Sequence, residues 1–128
     1  MLKTNTLQMT PRLSALAKKA SSLDLSGCTI SKEQMQIIAE TLPHLKKINL
    51  RGCTLTDDVV KQMAAFQQLE ECYLGGTSIT GDTLDQLSRG IKKLNLSECD
   101  SLTDAGVGKL QSILLEKGVV TMRRMRRL

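Results

Sequence analysis

The sequence predicts an α/β solenoid: right-handed strand-and-helix coils with a short parallel sheet on the concave side and helices on the convex side. Three observations carry the prediction. One pattern recurs four times along the 128 residues, at steps of 25, 24 and 22, and periods of 20 to 50 residues are the signature of stacked repeats. Each copy holds an alternating Leu-x-Leu core followed by a Ser or Thr and then apolar residues at helical spacing. Aromatic residues make up only 2% of a chain that is 41% hydrophobic, so the core is built from aliphatic side chains. The same scarcity argues against a stacking platform for single-stranded nucleic acid.

The elements follow in chain order. Thr10 reads as an N-cap, Pro11 as the first helical residue and Leu13, Leu16 and Ala17 as one stripe, so residues 1–19 are expected to form a helical cap over the first coil. The segments Ala20–Cys28, Leu45–Cys53, Leu69–Thr77 and Ile91–Cys99 then align as L-x-x-L-x-L-x-x-C/T. Side chains alternate along a strand, so the Leu-x-Leu core buries one face and presents the other to solvent. An aliphatic residue follows in each copy (Ile30, Leu55, Ile79, Leu102), then Ser31, Thr56, Thr80 or Thr103, each placed to cap a helix, with Ser31 and Gln34 forming a capping box. The expected inward stripes are Met35, Ile38, Ala39 and Leu42; Val59, Val60, Met63 and Ala64; Leu84 and Leu87; and Val107, Leu110 and Leu114. One coil cannot bury its own apolar face, so four must stack, spanning 20–114 of a single domain. Leu115-x-x-Gly118-x-Val120 starts 24 residues after Ile91 and is expected as a degenerate fifth strand, with residues 115–128 ending in a basic tail.

This pattern resembles the leucine-rich repeat family. The Cys at the ninth position, with Leu102-Thr103-Asp104-Ala105-Gly106 after the last copy, is similar to the cysteine-containing subclass found in substrate-binding regions of F-box proteins. The resemblance covers about residues 20–118 and implies a non-enzymatic module that binds proteins. Two features depart from it. Thr77 replaces the Cys of the third copy, and the segment before the first copy is too short for an F-box.

Residues that invite a chemical reading are better explained by the repeat. Cys28, Cys53 and Cys99 lie 25 and 46 residues apart, which are repeat periods and not the close pairs of zinc sites. They are expected to turn inward and bond weakly to the turn backbone, with Cys72 in a leucine position, all four reduced as in a reducing compartment. No metal or cofactor is expected. His44 follows Pro43 in a loop, with no nucleophile and acid at motif spacing to make a triad. Gly75, Gly76, Gly106 and Gly108 are too sparse for a phosphate cradle and read as turn and tight-packing glycines.

Charge is segregated. Net charge is +5, but Lys3, Arg12, Lys18 and Lys19 near one end and Arg123, Arg124, Arg126 and Arg127 near the other leave residues 21–122 at −3. A basic footprint spread over a folded face is therefore not expected. Stacking places equivalent strand positions about 4.8 Å apart, which turns the alignment into a surface map. The outward central column is Asp24, Asn49, Tyr73 and Asn95. Ser22, Lys47, Glu71 and Lys93 run on one side of it, and Ser26, Arg51, Gly75 and Ser97 on the other. Lys46 and Lys47, Glu70 and Glu71, and Lys92 and Lys93 alternate in sign, so the face is expected to neutralise itself laterally through weak exposed pairs.

These readings favour a protein-interaction adaptor binding its partner through Tyr73, Asn49, Asn95, Asp24, Arg51, Lys47, Glu71 and Lys93 on the concave face. The alternatives are a protein that uses its four tail arginines on RNA or an anionic membrane, and one that assembles with itself through the C-terminal edge strand. No apolar run approaches the ~20 residues of a membrane span, and no secretory signal is evident, so a cytoplasmic protein is expected. Mitochondrial targeting by the acid-free N-terminus, or the host cytosol for a bacterial effector, are the other locations the sequence leaves open.

Overall fold

A computed structural model describes residues 2–3, 20–87, 90–110 and 120–121. Six short strands form one parallel sheet in chain order: β1 (Leu2–Lys3), β2 (Ser22–Asp24), β3 (Lys47–Asn49), β4 (Glu71–Tyr73), β5 (Lys93–Asn95) and β6 (Val120–Thr121). Register is that of the aligned repeat. Leu23, Ile48, Cys72 and Leu94 stand side by side with their side chains buried, while the residues before and after each point away from the core. The ladder continues past the strands, because the amides of Leu25, Leu50 and Leu74 donate to the carbonyls of Asn49, Tyr73 and Asn95 on the next coil.

Each coil then turns at one position. Gly27, Gly52 and Gly76 have φ of 77°, 67° and 73°, a left-handed conformation that glycine adopts without steric cost. The fourth coil puts Glu98 there, at φ 62°.

The return paths differ. Helix α1 (Lys32–Thr41) begins at the expected capping box, with the Ser31 hydroxyl accepting from the Gln34 amide at 3.1 Å and the Gln34 side chain accepting from the Ser31 amide at 2.8 Å. Helix α2 (Asp57–Gln62) tightens into a 3₁₀ turn at Met63–Ala65, and α3 spans Asp104–Gly108. Among the described residues the third coil holds a 3₁₀ turn at Leu84–Gln86 and no α-helix, contrary to the expectation of one helix per coil. Its return path is the shortest, eleven residues from Thr80 to Ile91 against fourteen from Ser31 to Leu45. A 3₁₀ turn advances about 2.0 Å per residue against 1.5 Å for an α-helix, so fewer residues cover the distance.

Four further expectations are corrected. Of the four capping residues only Ser31 and Thr103 cap; Thr56 makes no cap bond, and the Thr80 hydroxyl donates instead to Asp57. Ala64 faces solvent, because tightening at Met63 rotates the following residues and Phe66 takes the inward place, fully buried. At the C-terminal side Val120 pairs with Leu94, two residues out of step with the alignment that set Gly118 there. A shift of two keeps the same side inward, and Val120 packs partly buried against the core. Strand β1 pairs with β2 at the other edge, where no strand was expected. That strand falls in the segment 1–19 expected as a helical cap; the rest of the segment, Leu114, Leu115, and the tail with Arg123, Arg124, Arg126 and Arg127 lie outside the described residues.

One continuous core, aliphatic but for Phe66 and the cysteines, runs from Leu23 to Leu110 and takes in the expected stripes at Met35, Ile38, Ala39, Leu42, Val59, Val60, Met63, Leu84 and Leu87. Apolar burial worth roughly 1.5–3 kcal/mol for each large side chain holds the coils together. All four cysteines are buried, and none is in a disulfide. They also link coils: Cys53 Sγ donates to the Leu25 carbonyl at 2.9 Å and Cys99 Sγ to the Leu74 carbonyl at 3.1 Å, each on the preceding coil. In the third coil Thr77 Oγ1 donates to Leu74 at 2.8 Å, within its own coil. Burial pushes all three of Cys53, Cys72 and Cys99 upward in pKa, Cys72 to about 12.

Candidate partner-binding face

The outward residues of β2 to β5 lie in three columns across the sheet, as the alignment placed them. Asp24, Asn49, Tyr73 and Asn95 are in register, and so are Ser22, Lys47, Glu71 and Lys93. Arg51, Gly75 and Ser97 continue beside them, with Gly52 donating to the Gly75 carbonyl and Gly76 to that of Ser97.

The central column is partly occupied with its own turns. Asp24 Oδ1 accepts from the Ser26 amide at 2.9 Å, Asn49 Oδ1 from Arg51 at 3.1 Å and Asn95 Oδ1 from Ser97 at 2.9 Å. These Asx turns fix the chain as it leaves each strand. Only the third coil replaces the Asx residue, with Tyr73.

Tyr73 organises the middle of the face. Its hydroxyl donates to Glu71 Oε1, and this bond to a carboxylate, chiefly, holds the phenol above its ordinary pKa. Two cations from the preceding coil converge on its ring, Arg51 Cζ at 4.4 Å from the centroid and Lys47 Nζ at 5.5 Å. Both lie within cation–π range. Beside it Gly75 lets the next coil approach closely: a Cβ there would stand 3.1 Å from the Ser97 carbonyl and 3.3 Å from Asn95 Oδ1, while 4.0 Å to Arg51 Cγ is ordinary contact. The alignment put Tyr73 and Arg51 on neighbouring coils but gave no sign that the guanidinium covers the ring. Only the direction of a long side chain decides that.

Lateral neutralisation is much weaker than expected. Among the described residues the ion pairs are Lys92 with Glu70 at 3.6 Å and Lys109 with Asp82 at 3.5 Å, both between exposed side chains. Lys47 turns to Tyr73 rather than to Glu71, and Lys93 is exposed without an ion pair. His44 sits in the loop before β3, its Nδ1 3.1 Å from Gln68 Nε2. Among the described residues no group of three or more His, Cys, Asp and Glu side chains could hold a metal ion.

A second polar cluster, which the sequence reading missed, lies at the turn into α2. Asp57 accepts three hydrogen bonds from the next coil, from the Thr80 hydroxyl at 2.8 Å, the Thr80 amide at 3.2 Å and the Gly81 amide at 3.0 Å, and its own carbonyl accepts from Thr83 Oγ1 at 2.9 Å. It is a clamp between coils. The signal was an Asp just after a cap position whose Thr then failed to cap.

The profile of a family described as Leucine Rich repeat matches the sequence twice, over residues 41–61 and 89–110. Those segments contain β3 and β5 with the turns that follow them, and the register between strands puts β2 and β4 in the same places of their own coils. The fold is a leucine-rich-repeat solenoid. Leucine-rich repeats are in general protein–protein interaction modules and typically not enzymes. Among the described residues no helix is long and apolar enough to cross a membrane.

Proposed function

We propose that the protein is a non-enzymatic interaction adaptor that binds a protein partner through the concave strand face, with Tyr73 and Arg51 as the anchor. The observation that carries this reading is the stacking of Arg51 over Tyr73, in register with Asn49 and Asn95. Tyrosine and arginine are enriched among the few interface residues that carry most binding energy. Holding the guanidinium on the ring before a partner arrives lowers the ordering cost of binding. Asp24, Lys47, Glu71 and Lys93 would form the polar rim. The ninth-position thiols Cys28, Cys53 and Cys99 support membership of the cysteine-containing subclass, and four buried cysteines outside any disulfide support a reducing compartment such as the cytoplasm.

The test is quantitative affinity purification from cells with wild type, Tyr73→Ala and Arg51→Ala, the variants first checked for an unchanged melting temperature. The expected result is one set of partners lost from both variants. Partners recovered equally by all three proteins would reject the strand-face reading.

A further inference from the structure

We propose that Cys28 and Cys53 are a dithiol pair that closes to a reversible disulfide when a peroxide reaches the protein, cross-linking the first two coils. Both stand at the ninth position of their repeats, and the Thr54 amide donates to the Cys28 carbonyl at 3.0 Å, so the two backbones run in one ladder. Neighbouring parallel strands lie about 4.8 Å apart, inside the roughly 4.4–6.8 Å between Cα atoms that a disulfide spans. The side chains meet as well. The Leu25 carbonyl accepts both the Cys28 amide at 3.0 Å and the Cys53 thiol at 2.9 Å, which brings Cys53 Sγ against Cys28. The arrangement recurs two coils on, where the Leu74 carbonyl accepts the Thr77 amide at 3.2 Å and the Cys99 thiol at 3.1 Å, and Thr77 Oγ1 lies 3.6 Å from Cys99 Sγ. Cys28 holds the place of Thr77 in its own pair of coils, and Cys53 that of Cys99. Burial raises the pKa of Cys53, and charge on Cys28 raises it further, as a near neighbour does.

The other two cysteines are kept out of the reaction by their places in the repeat. Thr77 interrupts the ladder between Cys53 and Cys99, and Cys72 stands between Ile48 and Leu94. Cys28 is the more open of the pair, 8% exposed against 3% for Cys53. Its sulfur attacks the peroxide, keeping one oxygen as a sulfenic acid and releasing the other as water. Cys53 then attacks the Cys28 sulfur and gives up its bond to the Leu25 carbonyl. The S–S bond forms, the hydroxyl on Cys28 is displaced, and it leaves as water with the proton of the Cys53 thiol. Both sulfurs are oxidised and the peroxide is reduced to water. A small-molecule thiol reverses the step by thiol–disulfide exchange.

The experiment treats the folded full chain with hydrogen peroxide in mildly alkaline buffer, blocks remaining thiols with N-ethylmaleimide and maps the peptides by mass spectrometry without reduction. The expected product is one intramolecular link between Cys28 and Cys53, removed by dithiothreitol, with Cys72 and Cys99 alkylated. The link should be lost from Cys28→Ser and Cys53→Ser. Thr77→Cys should add a link to Cys99, because it sets a second sulfur where the Thr77 hydroxyl now lies 3.6 Å from Cys99 Sγ. The same treatment in urea supplies the reference for pairing without the fold. Links in the folded chain that match the mixture formed in urea would overturn the proposal, since the fold would then select nothing. So would sulfinic acid at Cys28 with no link, links between molecules only, or complete alkylation of the folded chain at a peroxide dose that cross-links the unfolded one.

Discussion

Gly106 packs against the backbone of Thr80 so closely that a Cβ added to it would stand 2.0 Å from the Thr80 carbonyl oxygen, and 2.9 Å from the Cα of Gly81. The first turn of α3 thus lies directly on the turn of the coil before it, and the Thr103 amide donates to the same Thr80 carbonyl at 3.0 Å. Backbone atoms cannot rotate away from a methyl group. Gly106→Ala should separate the third and fourth coils and cost about 3 kcal/mol or more, comparable with severe overpacking. Urea denaturation checks this, and Gly108→Ala is the control, since a Cβ there meets nothing within 4 Å.

Asp57 gives the second prediction. Asp57→Ala leaves the amides of Thr80 and Gly81 without their acceptor, at a cost of roughly 2 kcal/mol. Amide hydrogen exchange should show those two sites losing protection before the strands do. Unchanged exchange at Thr80 and Gly81 would mean the clamp holds nothing in solution.

Glu98 occupies a turn position that three coils give to glycine. A non-glycine residue in the left-handed region costs roughly 1 kcal/mol, partly offset by the extra unfolded-state freedom of glycine. Glu98→Gly should therefore stabilise the protein by about 0.5 kcal/mol, raising the urea midpoint with no change in slope.

Alkaline pH should weaken the fold through its thiols. Burial raises Cys72 from 9.0 to about 12, and Cys53 and Cys99 shift in the same direction. Above pH 9 the unfolded chain releases thiol protons that the folded chain retains, so the unfolded state binds fewer protons and stability falls as pH rises toward 12. Below pH 9 this contribution is fully present. Cys72→Val should flatten the decline in melting temperature between pH 9 and 11, and an equally steep decline would assign it to other groups.

Most of the architecture was legible because it depends on spacing. Leucines at every second position make Leu23, Leu25, Ile48 and Leu50 face inward whatever their neighbours are, and a constant period brings like positions into register. Local hydrogen bonding was legible only where both partners lie a few residues apart, as at Ser31 and Gln34; Thr56 and Thr80 present the same kind of residue to a different environment and do not cap.

The sequence by itself determined the number of aligned coils, the parallel sheet, the inward thiols and the list of residues on the strand face, because each follows from a repeat of fixed length and from alternation along a strand. Tertiary structure alone decided that the third return path is a 3₁₀ turn, that Asp57 clamps the next coil, and that Arg51 and Lys47 share the ring of Tyr73. Those outcomes depend on where long side chains and turn backbones go once neighbouring coils have closed on them, a balance of contacts between residues about two dozen positions apart.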